Sequence, residues 1–415
     1  MRIHIRLLVT AMLLLCLTLL LCACEIGGVV DGVKDKVDDI KDKIDDVKDK
    51  VSNLITTTSA PPTTTAPVTE APPTPGMLYQ KNSDGRGYTV KGYAGKVKDL
   101  VIAEEQNGLP VVAIMQAAFK GKGTLTSIRI PDSVVSVGKG AFGGCNGMIK
   151  AEGGAHYVDR WVVGVGDLVS AIVLRENTAG IADNAFEGRT KLASVTLNAA
   201  LRVIGADAFL GCNALTEIIV PEENTAYTVV GEALYTKDMT RLIRYFGTGE
   251  SFTVPATVTE IAPSAFRDHA ALKSVSFEPR SELSVLGDYA FAGCTSLAAF
   301  DLPKGVGRIG NGAFLGCSAL SSFSLPKVSA CTAIGAEAFR GCSALVEFAI
   351  PEAVSEIGQN AFYECRGLLR LNLEVIEGWR AGDQDIPSVQ LDAPAKVAAM
   401  LCDIYHIKTW VRRIQ

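Results

Sequence analysis

Short runs of alternating apolar and polar residues separated by glycine-marked turns recur along most of the chain, and they recur as near-copies. "IGAEAFRGCSAL" (334–345) is matched by "IGADAFLGCNAL" (204–215), "LGDYAFAGCTSL" (286–297) and "IGNGAFLGCSAL" (309–320). The phenylalanine of the unit falls at Phe119, Phe142, Phe186, Phe209, Phe266, Phe291, Phe314, Phe339 and Phe362. Most intervals are 23 or 25 residues; those before Phe186 and Phe266 are longer. A fixed period of this size marks a solenoid, in which one unit cannot cover its own apolar side and stacked units can.

Each unit has a readable order. In "ALVEFAI" (344–350), Phe348 and Ile350 face one way and Glu347 and Ala349 the other, as a short strand requires. Pro351 ends it, because proline lacks the donor a ladder needs. "EAVSEIG" (352–358) predicts a second short strand or bend, with Gly358 freeing the turn. "QNAFYEC" (359–365) predicts one or two helical turns that set Phe362 and Cys365 on one inward face. Stacking then lays Phe on Phe, Leu on Leu and Cys near Cys. Strands repeat every ~4.8 Å; helical turns are wider, so that side should spread and the stack curve. The fold class is therefore a β-rich α+β repeat solenoid, a curved array with short strands on one side and short helical turns on the other, capped at both ends.

The motif "IGxxAFxGCxxLxxxxIPxxV" resembles the BspA-like leucine-rich repeat family of bacterial surface proteins, over about 340 residues. Lys122, Arg189 and His269 depart from it, standing where other copies carry Cys, and "GMIKAEG" after Cys145 makes a poor strand. The two long units contain "AHYVDRWVVGVGDLVSAIVL" and "AYTVVGEALYTKDMTRLIRYF", which look like the Tyr-containing hairpin insertions common in this family. "YTVKGYAGKVKDLVIAEEQNGLPVVAI" (88–114) is similar to the family's N-terminal β unit. The resemblance implies adhesion or interaction with host or neighbouring-cell molecules and fixes no ligand.

A different pattern precedes the repeats. "MRIHIR" is a basic start, and residues 7–21 form an apolar run of secretory length. Leu21-Cys22-Ala23-Cys24 resembles the lipobox of bacterial lipoproteins, which implies cleavage before Cys24 and acylation on it. Apolar residues at Val30, Val33, Val37, Ile40, Ile44, Val47, Val51 and Leu54 form a heptad stripe. Lys34, Lys41, Lys48, Lys36, Lys43 and Lys50 flank it on both sides, so self-pairing would set Lys beside Lys. Three readings stay open: a helix lying on the membrane with its Lys stems snorkelling, a coiled coil with an acidic partner, or a solvated spacer. "TTTSAPPTTTAPVTEAPPTP" (56–75) is an extended Thr/Pro linker, and at about 3.1 Å per residue it reaches about 60 Å. The expected layout is a signal peptide (1–23), an anchored helix (24–55), a linker (56–76), an N-terminal cap (77–113), the repeats (114–373) and a C-terminal cap (374–415), with Trp410 covering the last coil.

Chemistry changes little in this picture. A net charge of −5 without a basic, aromatic-interleaved stripe gives no reason to expect nucleic acid. Cys145, Cys212, Cys294, Cys317, Cys342 and Cys365 share one inward column, with copies set too far apart on the spreading side for disulfides, so they read as small packing groups. No metal-ligand spacing, nucleophile elbow or phosphate loop appears, and neither enzyme activity nor a cofactor is expected. His269 reads as a tolerated variant in the Cys column. Binding is left to the surface. The outward strand positions include Arg129, Glu217, Asp301, Glu347 and Arg370, and the long units cluster Tyr157, Trp161, Tyr227, Tyr235, Arg241, Arg244, Tyr245 and Phe246. The expected function is a membrane-tethered surface lipoprotein that binds an extracellular protein or glycan. The alternative is a structural or scaffolding lipoprotein of the envelope.

Overall fold

The computed structural model describes residues 72–413, within one compact unit spanning residues 71–415. The signal segment, Cys24, the 30–54 stripe and nearly all of the Thr/Pro linker lie outside the described residues.

Two parallel ladders run along the unit, one from each strand of the repeat. The first pairs Asp99–Val101 with Ser127–Arg129, then Ala171–Val173, Ser194–Thr196 and Glu217–Ile219 in order, then Ser251–Val254, Ser274–Phe277, Ala299–Asp301 and Ser322–Ser324, and finally Glu347–Ile350 with Arg370–Leu373. The second is made of two-residue strands such as Glu260–Ile261, Val285–Leu286, Arg308–Ile309 and Ala333–Ile334. Alternation decides what each strand buries. Ile128, Val195, Ile218, Phe300, Phe323 and Phe348 point into the core, while their flanking neighbours point out.

The third side differs from expectation. The Ala-Phe segments are not α-helix but consecutive turns closed by i→i+3 bonds. In the Phe119 coil, the N–H groups of Ala118, Lys120 and Lys122 bond within the coil, to Met115, Ala117 and Phe119. Those of Ala117, Phe119 and Gly121 instead reach the carbonyls of Lys139, Ala141 and Gly143 in the next coil, at 3.2, 2.7 and 2.8 Å. The turn side is thus a third hydrogen-bonded ladder, and every second donor is spent on the neighbouring coil. The helix width expected to spread this side is absent. Pointing alternate donors outward requires left-handed backbone two residues before each Phe and two after. The first place holds Asn184, Asp207, Ser264, Tyr289, Glu337 and Asn360 at φ of 51–57°. The second is usually Gly, which alone adopts this region without steric cost.

Phenylalanines stack along the axis at centroid distances of 4.7–5.5 Å. Phe300, Phe323 and Phe348 of the first ladder insert edge-on between them. Offset-stacked and edge-to-face contacts suit the ring quadrupole, so one side chain type can fill the whole axis. At the N-terminal end, Tyr88–Tyr93 pairs with Met77–Lys81 on one edge and Leu109–Ile114 on the other. At the C-terminal end, Trp410–Arg412 lies antiparallel on Glu356–Ile357, and Trp410 is fully buried.

Candidate functional site

The two long units hold antiparallel strands. Lys150–Glu152, Ala155–Val158 and Trp161–Val165 form the first set, and Tyr227–Val230, Ala233–Thr236 and Arg241–Tyr245 the second. The side chains singled out there for binding are mostly core. Tyr157, Trp161, Tyr227, Tyr235, Arg244, Tyr245 and Phe246 are all buried, and Arg241 is half-buried against Glu260 at 2.8 Å. This corrects the expectation that they present a binding patch. A hairpin interrupting a stack must fill the place of a missing coil, and large side chains do the filling. Tyr245 takes the phenylalanine place itself, stacking on Phe266 at 5.2 Å, and its N–H bonds to Ala265 as a phenylalanine N–H would. Burial pushes the Tyr235 hydroxyl up to about 12.

The outward strand positions do lie on the surface. Arg129, Glu217, Asp301, Glu347 and Arg370 are exposed, on a face that is otherwise mostly Ser, Thr and Ala, with the apolar Val173 and Ile219 also exposed on it. Part of this face is internally paired. Arg370 holds Glu347 at 2.7 Å, Asn372 donates to Glu347 at 2.9 Å, and these two contacts, Arg370 first, hold the Glu347 carboxyl below its usual range. Thr253 and Ser276 share a hydrogen bond at 2.9 Å.

All eight described cysteines are free and buried. The column does more than fill space. Each of its six thiols donates to the carbonyl of the phenylalanine one coil earlier, Cys145 to Phe119 and Cys317 to Phe291 among them, at 3.0–3.2 Å. His269 keeps that role, its Nε2 lying 2.8 Å from the carbonyl of Tyr245, the phenylalanine's stand-in. The clue in the sequence was that the substitute is another donor.

The third ladder breaks at both insertions. Among the described residues, no backbone carbonyl accepts the N–H groups of Asp207, Phe209 or Gly211, the row that should bond to a following coil. The Tyr227 hydroxyl closes part of this seam, accepting from the Ile204 N–H at 2.9 Å and donating to Arg202 at 3.1 Å. Beside it opens a cleft of about 120 Å³. Arg244 lines it with 5% of its surface exposed, donating from one terminal nitrogen to the Ser264 carbonyl at 3.0 Å. Arg244 Nε, Ser264 Oγ and Asp207 Oδ1 line the same space, buried and without partners. Burial draws the Arg244 guanidinium below its ordinary value. The matching cleft at the first insertion, around Val137, Phe142 and Val163, carries only apolar side chains and glycine. Among the described residues, no group of His, Cys, Asp and Glu could hold a metal ion, and no helix is long and apolar enough to cross a membrane.

Comparison with known proteins bears on the fold. A leucine-rich cell surface protein from Faecalibacterium prausnitzii is similar at 20% identity and a TM-score of 0.46, over 77% of this chain and 96% of that one. A leucine-rich repeat protein from Eubacterium ventriosum gives 20% and 0.47, over 73% and 85%. The pneumococcal vaccine antigen PcpA gives 19% and 0.37, over 71% and 65%. No curated protein matches significantly. The model of the BspA type leucine rich repeat region matches in six copies, across residues 112–228 and 245–369. These matches take in more than half of the chain, which therefore belongs to the BspA type leucine rich repeat family.

Proposed function

We propose that the protein is a surface-tethered interaction module that binds an extracellular protein or glycan through its repeat array. The observation that carries this reading is the outward row of the first ladder. It runs from Ser127 to Arg370 as mostly small or polar outward side chains, broken by the exposed Val173 and Ile219, on a regularly spaced frame. A row of this kind can match an extended partner while the interior stays untouched, as concave repeat surfaces do. Glu217 and Asp301 are its exposed acids nearest the middle. Acylation at Cys24 would fix one end to a membrane, and the Thr/Pro segment would carry the array outward; both enter from the sequence alone. An envelope scaffold would need no such reach.

A soluble fragment of residues 71–415, immobilised and exposed to extracellular matrix proteins, glycans and envelope extracts, tests this. Capture of an extracellular ligand that Glu217→Lys with Asp301→Lys abolishes is the expected result. Capture of envelope components alone would replace the module with the scaffold.

A further inference from the structure

The seam at the second insertion is where the repeat's own bonding runs out, and what lines it is unlike the rest of the interior. Elsewhere in the stack six of the nine places in the inward column hold thiols bonded to carbonyls. Here a guanidinium, a carboxylate oxygen and a hydroxyl border one cleft, each with an unanswered atom. The backbone N–H of Phe209, which also lines the cleft, is free of its usual coil-to-coil bond. Leaving such groups unpaired is costly, so a native structure that keeps them together needs a reason.

The charges narrow the class of occupant. Arg241 is neutralised by Glu260. What remains in the lining is one guanidinium, Arg244, and one carboxylate, Asp207; the carboxylate whose charge acts on Arg244 is Asp268, outside the lining. A simple anion would meet the Asp207 carboxylate, and a cation would meet Arg244. A group that both donates and accepts satisfies the two at once, as a hydroxyl does. Two adjacent hydroxyls can donate to Asp207 Oδ1 and accept from Arg244 Nε and the Phe209 N–H, with Ser264 Oγ free to serve either way. Ile204, Leu210 and Pro263 supply apolar wall for the C–H side of a ring. The cleft is smaller than most small-ligand sites, so it would take one hydroxyl-bearing edge of a ring and leave the rest at its mouth.

We propose that the seam cleft between residues 204–210 and 241–264 is a binding site for a neutral sugar unit, held through vicinal hydroxyls by Asp207, Arg244 and Ser264. The site deepens the glycan half of the function proposed above and rests on that reading.

The test uses the full chain and methyl glycosides of neutral hexoses and N-acetylhexosamines, with a methyl glucuronide as the charged arm, followed by saturation-transfer NMR. Asp207 sits at φ 51°, a conformation asparagine tolerates, so Asp207→Asn should fold as the parent does while losing the acceptor charge. Arg244→Met replaces a buried charge with an apolar chain of similar length, and leaves the Ser264 carbonyl without its donor. The expected result is saturable binding of a neutral glycoside, weakened on the order of tenfold or more in each variant with the thermal midpoint preserved in Asp207→Asn. Absence of saturable binding by every neutral glycoside overturns the proposal, as does unchanged affinity in Asp207→Asn or tighter binding of the glucuronide. Should Arg244→Met fail to fold, Asp207→Asn decides alone. If the immobilised-fragment screen finds a ligand and no glycoside binds here, the module reading stands and the cleft proposal falls.

Discussion

Replacing Gly335 by Ala adds one methyl group and should cost as much as deleting a large core side chain. Gly335 ends its second-ladder strand, where a Cβ would lie 2.6 Å from the Asn311 nitrogen and from the Gly310 carbonyl carbon, both backbone atoms of the preceding coil. Ordinary contact begins at 3.4 Å, so the two coils must part by about 0.8 Å at this point. Coil-to-coil bonds stand close by: Gly335 to Ile309 at 2.9 Å, Gly312 to Ala336 at 2.7 Å and Phe314 to Ala338 at 2.8 Å. Stretching these by that amount takes them to or past the limit of a hydrogen bond, at about 1 kcal/mol net for each one lost. Overpacking adds about 1–3 kcal/mol, against about 0.4–1 kcal/mol regained from a stiffer unfolded chain. The net is a loss of about 3–6 kcal/mol. Urea unfolding followed by circular dichroism measures it. Ala262→Gly is the control, since Ala262 holds the equivalent place after an insertion, with no ordinary coil before it; about 1 kcal/mol is expected there. Equal effects from the two changes would mean that the coils are not held at this spacing, and the packing argument would fail.

Other outcomes follow from the same geometry. Phe314→Ala removes a fully buried ring that touches Phe291, Phe339, Phe300 and Phe323, and should cost about 3–5 kcal/mol in the same assay. Burial pushes the Cys294 thiol up to about 12 and holds Cys317 and Cys342 well above the usual value, so native protein should resist iodoacetamide at pH 8 and react fully in urea. Because these folded values lie above the unfolded one, the thiols' contribution is intact below about pH 9 and lost as pH rises through the folded values, seen as a falling thermal midpoint. His269 is the opposite case: burial first, then Arg244, lower it from 6.5 to about 4, so its contribution is present above pH 6.5 and lost as pH falls toward 4. That is about 3 kcal/mol at most, and His269→Cys, which restores the column's usual donor, should remove this part of the acid sensitivity in a pH-dependent unfolding series.

The residues that spoke plainly in the sequence are those whose meaning lies inside one unit. Phe348 against Glu347 shows the strand face, Pro351 its end, and the spacing from Phe339 to Phe362 the stacking. The turn side was opaque because its ladder depends on backbone conformation at positions held by Asn184, Ser264, Tyr289 and Glu337, which share no side-chain chemistry. Tyr157, Tyr235 and Tyr245 misled for a related reason. An aromatic cluster has the same composition whether it faces a ligand or plugs a gap, and only the neighbouring coil decides which.

One clue in the sequence did separate the two. The place after the second-ladder strand is Gly at 138, 205, 287, 310, 335 and 358, and in each case a Cβ would strike backbone of the coil before it at 2.3–2.6 Å. It is Met115, Ala182 and Ala262 in the other three units. Met115 has no repeat coil before it, and Ala182 and Ala262 follow the two long units. Glycine is absent wherever the preceding coil is absent, so the substitutions mark the seams without any structure. The seams are also where the interior is released from sameness. A residue inside the regular stack must suit a copy of itself above and below, which favours Phe, Leu, Cys and Gly. Arg244 and Asp207 border the one break with polar walls, where no copy has to be satisfied. Specific chemistry in a repeat protein of this kind should be sought first at such breaks, and Ala in place of the repeat's Gly shows where they are.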